Sequence, residues 1–205
     1  MSSDRPAAVT GGTAPVTGLV VVDVQVDFGD PEGSLYVSGG EAVLPVVQGW
    51  IHRTADAGHP VFFTQDWHPP RTPHFAVDGG VWPVHCVRDT PGAQFLSGLD
   101  VVGPVVRKGV DGRDGYSGFS VRDPRSGEVE ATELGSLVAA AGVTDLVVVG
   151  LAGDWCVKET ALDARRLGHR VRVPLDATAF VELEPGDTAA AIDRMRGAGV
   201  DVTAT

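Results

Sequence analysis

Six runs of apolar, mostly β-branched residues are spaced along the chain, and they constrain its fold more than any other feature. They lie at residues 19–24, 60–65, 104–107, 145–150, 170–175 and 199–203. Their hydrophobicity is continuous rather than alternating, which is typical of strands that are covered on both faces. The runs therefore predict the strands of a parallel sheet.

Helical patterns separate these runs and complete the fold prediction. They cover residues 41–57, 131–141, 154–167 and 186–197. Three of them end at a glycine that is followed by a short link to the next strand, namely Gly58, Gly142 and Gly168. This alternation predicts a three-layer α/β/α, doubly wound domain around a mostly parallel six-stranded sheet.

The length of 205 residues suits a single domain. The first 17 residues are rich in Gly, Pro, Ser, Thr and Ala and show no periodicity. Such a composition cannot bury enough apolar surface to fold. We therefore predict a disordered tail over residues 1–17 and one domain over residues 18–205.

Charge and cysteine content narrow the class of protein. Acidic residues outnumber basic ones by 27 to 16, which gives a net charge of −11 at pH 7. A nucleic acid or an anionic membrane surface would repel such a chain, so we expect neither as a partner. No apolar run is long enough to span a bilayer. The two cysteines form no disulfide framework and no secretory signal is visible, so we expect a cytoplasmic protein, while its oligomeric state stays open.

Reactive residues stand at the carboxyl ends of four predicted strands, which is the edge where open α/β sheets bind ligands. They are Asp23, Asp66, Lys108 and Cys156. Two irregular segments of unusual length, 66–98 and 108–130, follow the second and third of these strands. Taken singly, each residue could equally be a turn residue, a solvated cation or an apolar filler. Their common edge predicts a shared crevice.

Cys156 is the candidate nucleophile of this crevice. It lies in the first turn of a predicted helix, where free N–H groups and the helix dipole favour a thiolate. We expect Lys108 to lower the thiol pKa further. Asp23 could accept the thiol proton and later return it to a leaving amine. We interpret Cys86, in a loop beside His85, as an uninvolved thiol.

Three of the six histidines fall within a short loop segment and form a candidate metal site with a nearby acid. Asp66 and His68 are separated by one residue, and His74 and His85 can fold back from the same loop. Imidazole and carboxylate ligands suit Zn²⁺, Fe²⁺ or Mn²⁺ and do not choose among them. Histidines that merely cap turns are the alternative interpretation. The remaining three have no assigned role: His52, His59 and His169.

At this point several separate segments, in the right order, resemble one known group of proteins. They are similar to the isochorismatase-like cysteine hydrolases, and among these to the nicotinamidases and pyrazinamidases. The similarity extends from about residue 19 to residue 203. Its motifs are VVDVQVDF (21–28), GSLYVSGG (33–40), TQDWHPPRTPHF (64–75), WPVHCVRDTPGAQF (82–95), RKG (107–109), GYSGF (115–119) and VGLAGDWCVKETALDA (149–164).

The resemblance implies a role for each reactive residue. The implied catalytic triad is Asp23, Lys108 and Cys156. One divalent metal ion, with zinc favoured over iron or manganese, is implied on Asp66, His68, His74 and His85. A cis peptide bond is implied between Leu151 and Ala152, and an oxyanion hole is implied at the N–H groups of Ala152 and Cys156.

The resemblance also implies a substrate and a reaction. The substrate is a small carboxamide, held by Phe28, Trp82, Tyr116, Leu151 and Ala152. The activity is hydrolysis of nicotinamide to nicotinate and ammonia, and of pyrazinamide to pyrazinoate, through a Cys thioester, as a step of NAD salvage.

Some positions depart from the pattern of these relatives. Val26 stands where many have Asn, while Gly153 and Trp155 stand where Thr and His or Tyr are usual. The turn between Lys108 and Tyr116 is one residue longer. These departures bear on the shape of the pocket, and hence on turnover of nicotinamide against its analogues.

Two other functions remain open at this stage. The first is another Cys-dependent amide or ureide hydrolase of the same superfamily, such as an N-carbamoyl-amine amidohydrolase, although these generally lack the histidine set. The second is a catalytically silent binding module on the same fold. Isochorismatase proper cleaves a vinyl ether without a Cys nucleophile, so Cys156 argues against it.

Overall fold

A seven-stranded parallel sheet forms the centre of the computed structural model, which describes residues 15–204. The strands along the chain are β1 (Thr17–Val22), β2 (Val61–Asp66), β3 (Val105–Lys108), β4 (Ser120–Arg122), β5 (Val129–Ala131), β6 (Asp145–Leu151), β7 (Arg170–Pro174), β8 (Thr178–Ala179) and β9 (Asp201–Thr203). The sheet order is β3-β2-β1-β6-β7-β9, with β8 paired to β6. Strands β4 and β5 form a separate antiparallel pair.

Helices cover both faces of the sheet. They are α1 (Val26–Gly29), α2 (Gly40–Asp56), α3 (Leu134–Ala140), α4 (Lys158–Arg166) and α5 (Asp187–Gly197), and a π-helical turn, Gly153–Val157, leads into α4. Leu19 and Val21 of β1 belong to the core that contains α2. Val20 and Val22 belong to the core that contains α3, α4 and α5. Every residue of this strand after Thr17 and Gly18 thus packs against a helix layer, which explains its continuous hydrophobicity.

The predicted α/β fold with a mostly parallel sheet is confirmed, and the differences lie in short or exposed elements. The seventh strand, β8, has only two residues, too few to leave a pattern in the sequence. The β4–β5 hairpin lies within the segment 108–130 that was predicted to be irregular, and β5 is exposed throughout. The helix predicted over 154–167 is α-helical only from Lys158.

The predicted N-terminal tail overlaps the described residues only at 15–17. Most of that prediction concerns residues 1–14, which lie outside the described residues. Thr17, however, already pairs with Asp145 in the sheet, and the Val16 carbonyl accepts hydrogen bonds from the N–H groups of Thr144 and Asp145.

Among the described helices, none combines the length and the apolar character needed to cross a bilayer.

The strand order explains how distant parts of the chain meet. Strands β3, β2, β1 and β6 are consecutive neighbours, so the segments that leave their carboxyl ends share one edge. Asp66 and Lys108 are register partners at the ends of β2 and β3. Asp23 directly follows β1, and the turn that carries Cys156 follows β6.

Candidate active site

Lys108 lies at the centre of a buried polar cluster at the carboxyl edge of the sheet. Its Nζ is 2.6 Å from Asp23 Oδ2 and forms a second ion pair with Asp66. The same nitrogen donates hydrogen bonds to the Gly115 carbonyl and, at 3.8 Å, to Cys156 Sγ. One cation therefore contacts two carboxylates and a thiol, and all four side chains are buried.

The local sequence fixes the orientation of Asp23 opposite the thiol. Asp23 has a φ of 48°, in the left-handed region, and this turns the chain sharply after β1. Thr64 Oγ1 donates a 2.7 Å hydrogen bond to Asp23 Oδ1. Asp23 Oδ2 has the ionic contact with Lys108 but no hydrogen bond of normal geometry to any described residue. Because ligand atoms of Asp23, Asp66 and Cys156 all lie within 4.8 Å of one another, Oδ2 is available to receive a proton from the thiol.

Burial and the charges of neighbouring groups shift the pKa values of this cluster in opposite directions. Burial raises the pKa of Asp23 to about 6, although the charge of Lys108 opposes the shift. Burial also raises the pKa of the Cys156 thiol well above its usual range; Lys108 opposes this and Asp23 adds to it. Burial would lower the pKa of Lys108, but Asp23 and Asp66 outweigh it and raise that pKa. Lys108 thus acts on the thiol pKa in the predicted direction, but burial outweighs it and the net shift is upward rather than downward.

Three buried histidines come together next to this cluster. Ring nitrogens of His68, His74 and His85 lie within 4.8 Å of one another. His74 Nδ1 is 2.8 Å from Asp114 Oδ1, and His85 Nδ1 is 2.7 Å from the Pro83 carbonyl, which leaves Nε2 of each ring unused by these contacts. Burial lowers the pKa of His85 to about 4, so its imidazole is neutral at ordinary pH.

The histidine cluster fits a divalent metal ion. Both ring nitrogens of His68 are buried and have no hydrogen-bond partner among the described residues, which is costly unless another group binds them. Three imidazoles with a nearby carboxylate are a usual donor set for Zn²⁺, Fe²⁺ or Mn²⁺.

Asp66 lies between the polar cluster around Lys108 and the histidine cluster. Its Oδ2 is 3.8 Å from His68 Nε2, and its Oδ1 pairs with Lys108. Burial would raise the pKa of Asp66, but Lys108 and His68 outweigh it and hold that pKa well below the usual range. Asp66 is thus an anion that faces the histidines on one side and the ammonium group on the other.

A cleft of about 430 Å³, including its open mouth, joins the thiol to the histidine cluster. Of the five residues expected to hold the substrate, four line it: Phe28, Trp82, Tyr116 and Ala152. The side chain of the fifth, Leu151, instead lies in the hydrophobic core beside α2, because it belongs to the buried strand β6. The Leu151–Ala152 peptide bond is cis, as predicted. Four further apolar residues line the cleft, and of these only Trp155 was predicted to bear on the shape of the pocket: Leu35, Val37, Trp155 and Val181.

Aromatic rings form one wall of the cleft. Trp82 Nε1 donates a 2.9 Å hydrogen bond to the Tyr116 hydroxyl, which fixes both side chains. The Trp155 ring centroid is 4.8 Å from that of Trp82 in an edge-to-face arrangement, and 5.4 Å from that of Tyr116. Such a wall suits a flat, unsaturated ring.

Phe180 explains why a glycine, Gly153, lies in the turn before the thiol. A β-carbon at Gly153 would lie 2.5 Å from the nearest ring carbon of Phe180. The phenyl ring therefore occupies the space that a threonine side chain would need. Beside it, Asp154 accepts hydrogen bonds from the N–H groups of Val181 and Glu182. Together these contacts hold the segment after β8 against the turn that carries Cys156.

Asp114 is a polar residue of this site whose role the sequence does not predict. Its carboxylate is buried and contacts His74, although the two residues are 40 positions apart. The only signal in the sequence is an acidic residue two positions before Tyr116 in an otherwise irregular segment.

A family model, sequence relatives and solved structures all show similarity over most of this chain. The family model described as "Isochorismatase domain" matches residues 17–205. The chain is 39% identical over 189 residues to the nicotinamidase/pyrazinamidase of Mycobacterium tuberculosis, covering 90% of this chain and 96% of that one. The pyrazinamidase of Pyrococcus horikoshii in complex with zinc is similar at a TM-score of 0.82, with 33% identity, covering 93% of this chain and 100% of that one. An L. infantum protein in complex with nicotinate gives a TM-score of 0.82 and 36% identity, covering 92% of each chain.

Proposed function

Because the chain belongs to the isochorismatase family, we propose that it hydrolyses the carboxamide bond of nicotinamide, and of its analogue pyrazinamide, to a carboxylate and ammonia. The observation that carries this proposal is that Cys156 lines an aromatic cleft and meets the buried Asp23 and Lys108 there, beside three histidines. The sequence relatives named nicotinamidase and pyrazinamidase support the same substrate class.

The thiol begins the reaction. Cys156 gives its proton to Asp23, and Sγ attacks the carboxamide carbon while Lys108 compensates the negative charge of the pair. The N–H groups of Ala152 and Cys156 stabilise the oxyanion, with a contribution of about 3 kcal/mol from each donor. Asp23 then protonates the departing ammonia, which leaves a thioester on Cys156.

Water completes the cycle. Asp23 accepts a proton from water, the resulting hydroxide attacks the thioester carbon, and the carboxylate product leaves as the thiol is restored. A divalent ion held by Asp66, His68, His74 and His85 would supply Lewis-acid binding for a ring nitrogen or a water molecule. The aromatic wall orients the ring so that its carboxamide faces the thiol.

Ammonia release from three amides tests the substrate class. We expect nicotinamide and pyrazinamide to be hydrolysed and N-carbamoylsarcosine to be left intact, because the cleft is walled by aromatic rings. The assay is run on the protein as purified, after chelation, and after addition of zinc, iron(II) or manganese(II). Release from N-carbamoylsarcosine alone would assign the chain to the ureide hydrolases instead.

Replacing His68 by alanine is expected to abolish metal binding. Both of its nitrogens are buried and without a partner among the described residues, so the ring has no other bond to maintain. We expect bound metal, measured by elemental analysis, to fall from one equivalent to less than about a tenth. His52→Ala, at an exposed helix position, is the matched control and should keep its metal. Unchanged metal content in His68→Ala would assign the histidine loop a structural role.

Activity is expected to fall on the acid side of about pH 6, the pKa to which burial raises Asp23. The protonated carboxyl cannot accept the thiol proton, so kcat/KM should drop about tenfold per pH unit below that point. His85, with a pKa near 4, stays neutral through this range. Metal content measured at each pH separates loss of the base from loss of the ion. A profile that is flat from about pH 7 to about pH 5 would remove Asp23 as the proton acceptor.

A further inference from the structure

Asp114 contacts the candidate metal site from outside. Its Oδ1 is 2.8 Å from His74 Nδ1, and both side chains are buried. A carboxylate can only accept hydrogen bonds, so in this contact the His74 Nδ1–H donates. The contact therefore holds a ring proton on Nδ1 and leaves Nε2 as the nitrogen whose lone pair can bind a metal ion.

The Asp114 contact gives His74 the same protonated Nδ1 that His85 has. His85 reaches the same state by another route, because its Nδ1 is 2.7 Å from the Pro83 carbonyl, which also only accepts. His68 has no such partner among the described residues. In two of the three rings, Nε2 is therefore the nitrogen that is free to bind a metal ion. A peptide carbonyl fixes this state in one ring, and a charged side chain fixes it in the other.

The backbone holds Asp114 in a fixed place. Its N–H donates to the Arg122 carbonyl at 2.8 Å, and its own carbonyl accepts from the Arg122 N–H at 2.9 Å. The Arg122 guanidinium lies 3.4 Å from the second carboxylate oxygen of Asp114. On the other side, Thr72 Oγ1 donates to the Gly112 carbonyl at 2.7 Å, which ties the Asp114 segment to the loop of His74.

We propose that Asp114 is a positioning residue that fixes His74 as an Nε2 ligand for a divalent metal ion, an inference that rests on the function proposed above. Asp114 does not touch the substrate cleft; it acts through the imidazole. A charged acceptor also increases the electron density on the opposite ring nitrogen, which strengthens its bond to a metal. A residue that merely links two loops would influence stability but not the tautomer of His74.

Zinc affinity of the metal-free protein is the first measurement, made by competition with a chromogenic chelator. We expect Asp114→Ala to bind zinc about 10- to 100-fold more weakly than the wild type. Asp114→Asn should lose less, because its amide oxygen can still accept the Nδ1–H without the charge. Asp111→Asn, an exposed acid on the same loop, is the matched control and should bind zinc as the wild type does.

The tautomer of His74 is the second measurement, and it is read from the wild type rather than from an Asp114 variant. In ¹⁵N spectra of the metal-free wild type at neutral pH, we expect His74, assigned with His74→Gln, to show a protonated Nδ1 and a bare Nε2. In Asp114→Ala, if it folds, the ring should shift toward the Nε2–H form that free imidazole side chains prefer.

Two results would overturn the inference. One is an Nε2–H tautomer of His74 in the wild type, and the other is unchanged zinc affinity in Asp114→Ala; should that variant not fold, the wild-type tautomer alone decides. If the wild type binds one zinc and hydrolyses nicotinamide in either case, only the role of Asp114 is lost. A wild type that binds no metal would overturn the metal dependence proposed above together with this inference.

Discussion

Replacing Cys156 by alanine is expected to lower kcat for nicotinamide by about 10⁴-fold or more, the scale on which loss of a nucleophile acts in other acyl-transfer enzymes. Sγ is the only thiol that faces the cleft among the described residues. Binding should survive, because the aromatic wall and the histidines are untouched. Calorimetric titration with nicotinamide is therefore expected to give a Kd within about threefold of the wild type.

The second cysteine provides the control. Cys86 is also fully buried, but it lies outside the cleft, so Cys86→Ala should retain activity within a few-fold. A stalled acyl-enzyme would be visible by mass spectrometry of the wild type quenched during turnover, as an addition to Cys156. Substantial hydrolysis by Cys156→Ala would remove the thioester mechanism, whatever the substrate.

Replacing Lys108 by methionine is expected to destabilise the protein as well as inactivate it. The ammonium is the shared counter-charge of Asp23 and Asp66, and all three side chains are buried. Removing one partner of a buried ion pair leaves an uncompensated charge, at a cost of about 3–5 kcal/mol. Urea unfolding at pH 7, with a chelator present for both proteins, should show a loss of this size.

The pH dependence of that loss identifies its cause. Without the cation, the pKa values of Asp23 and Asp66 in the folded state should exceed those in the unfolded chain. The penalty is then full above the raised folded values and shrinks as the pH falls and both carboxyls take up protons. Arg107→Met, at the neighbouring exposed position of β3, should cost less than about 1 kcal/mol. A loss in Lys108→Met that is equal at pH 7 and about pH 5 would point to lost packing rather than charge.

The fold was largely predictable because its strands are buried on both faces. Continuous apolar runs marked β1, β2, β3, β6, β7 and β9 to within a few residues, and the rule that ligands bind at the carboxyl edge brought Asp23, Asp66, Lys108 and Cys156 together. The β4–β5 hairpin was missed because its exposed residues carry no apolar pattern.

Protonation and long-range contacts were not predictable in the same way. The position of Cys156 at the start of a helix suggested a lowered thiol pKa, but the depth of burial, which only the folded chain defines, raises it instead. Asp114 gave no local signal because its partner lies in another loop. The family resemblance predicts Leu151 in the cleft, whereas the strand directs its side chain into the core.

The phenyl ring of Phe180 against Gly153 has a consequence for how this lineage can change. Because ring carbons lie 2.5–2.7 Å from where a β-carbon would stand, no side chain fits at 153 until the ring is displaced or replaced. The two positions are thus epistatic: a mutation to threonine is tolerated after residue 180 has become small and is penalised before it. A library of single substitutions at position 153 is therefore expected to show depletion of larger side chains, whereas a library that also varies residue 180 is expected to recover them.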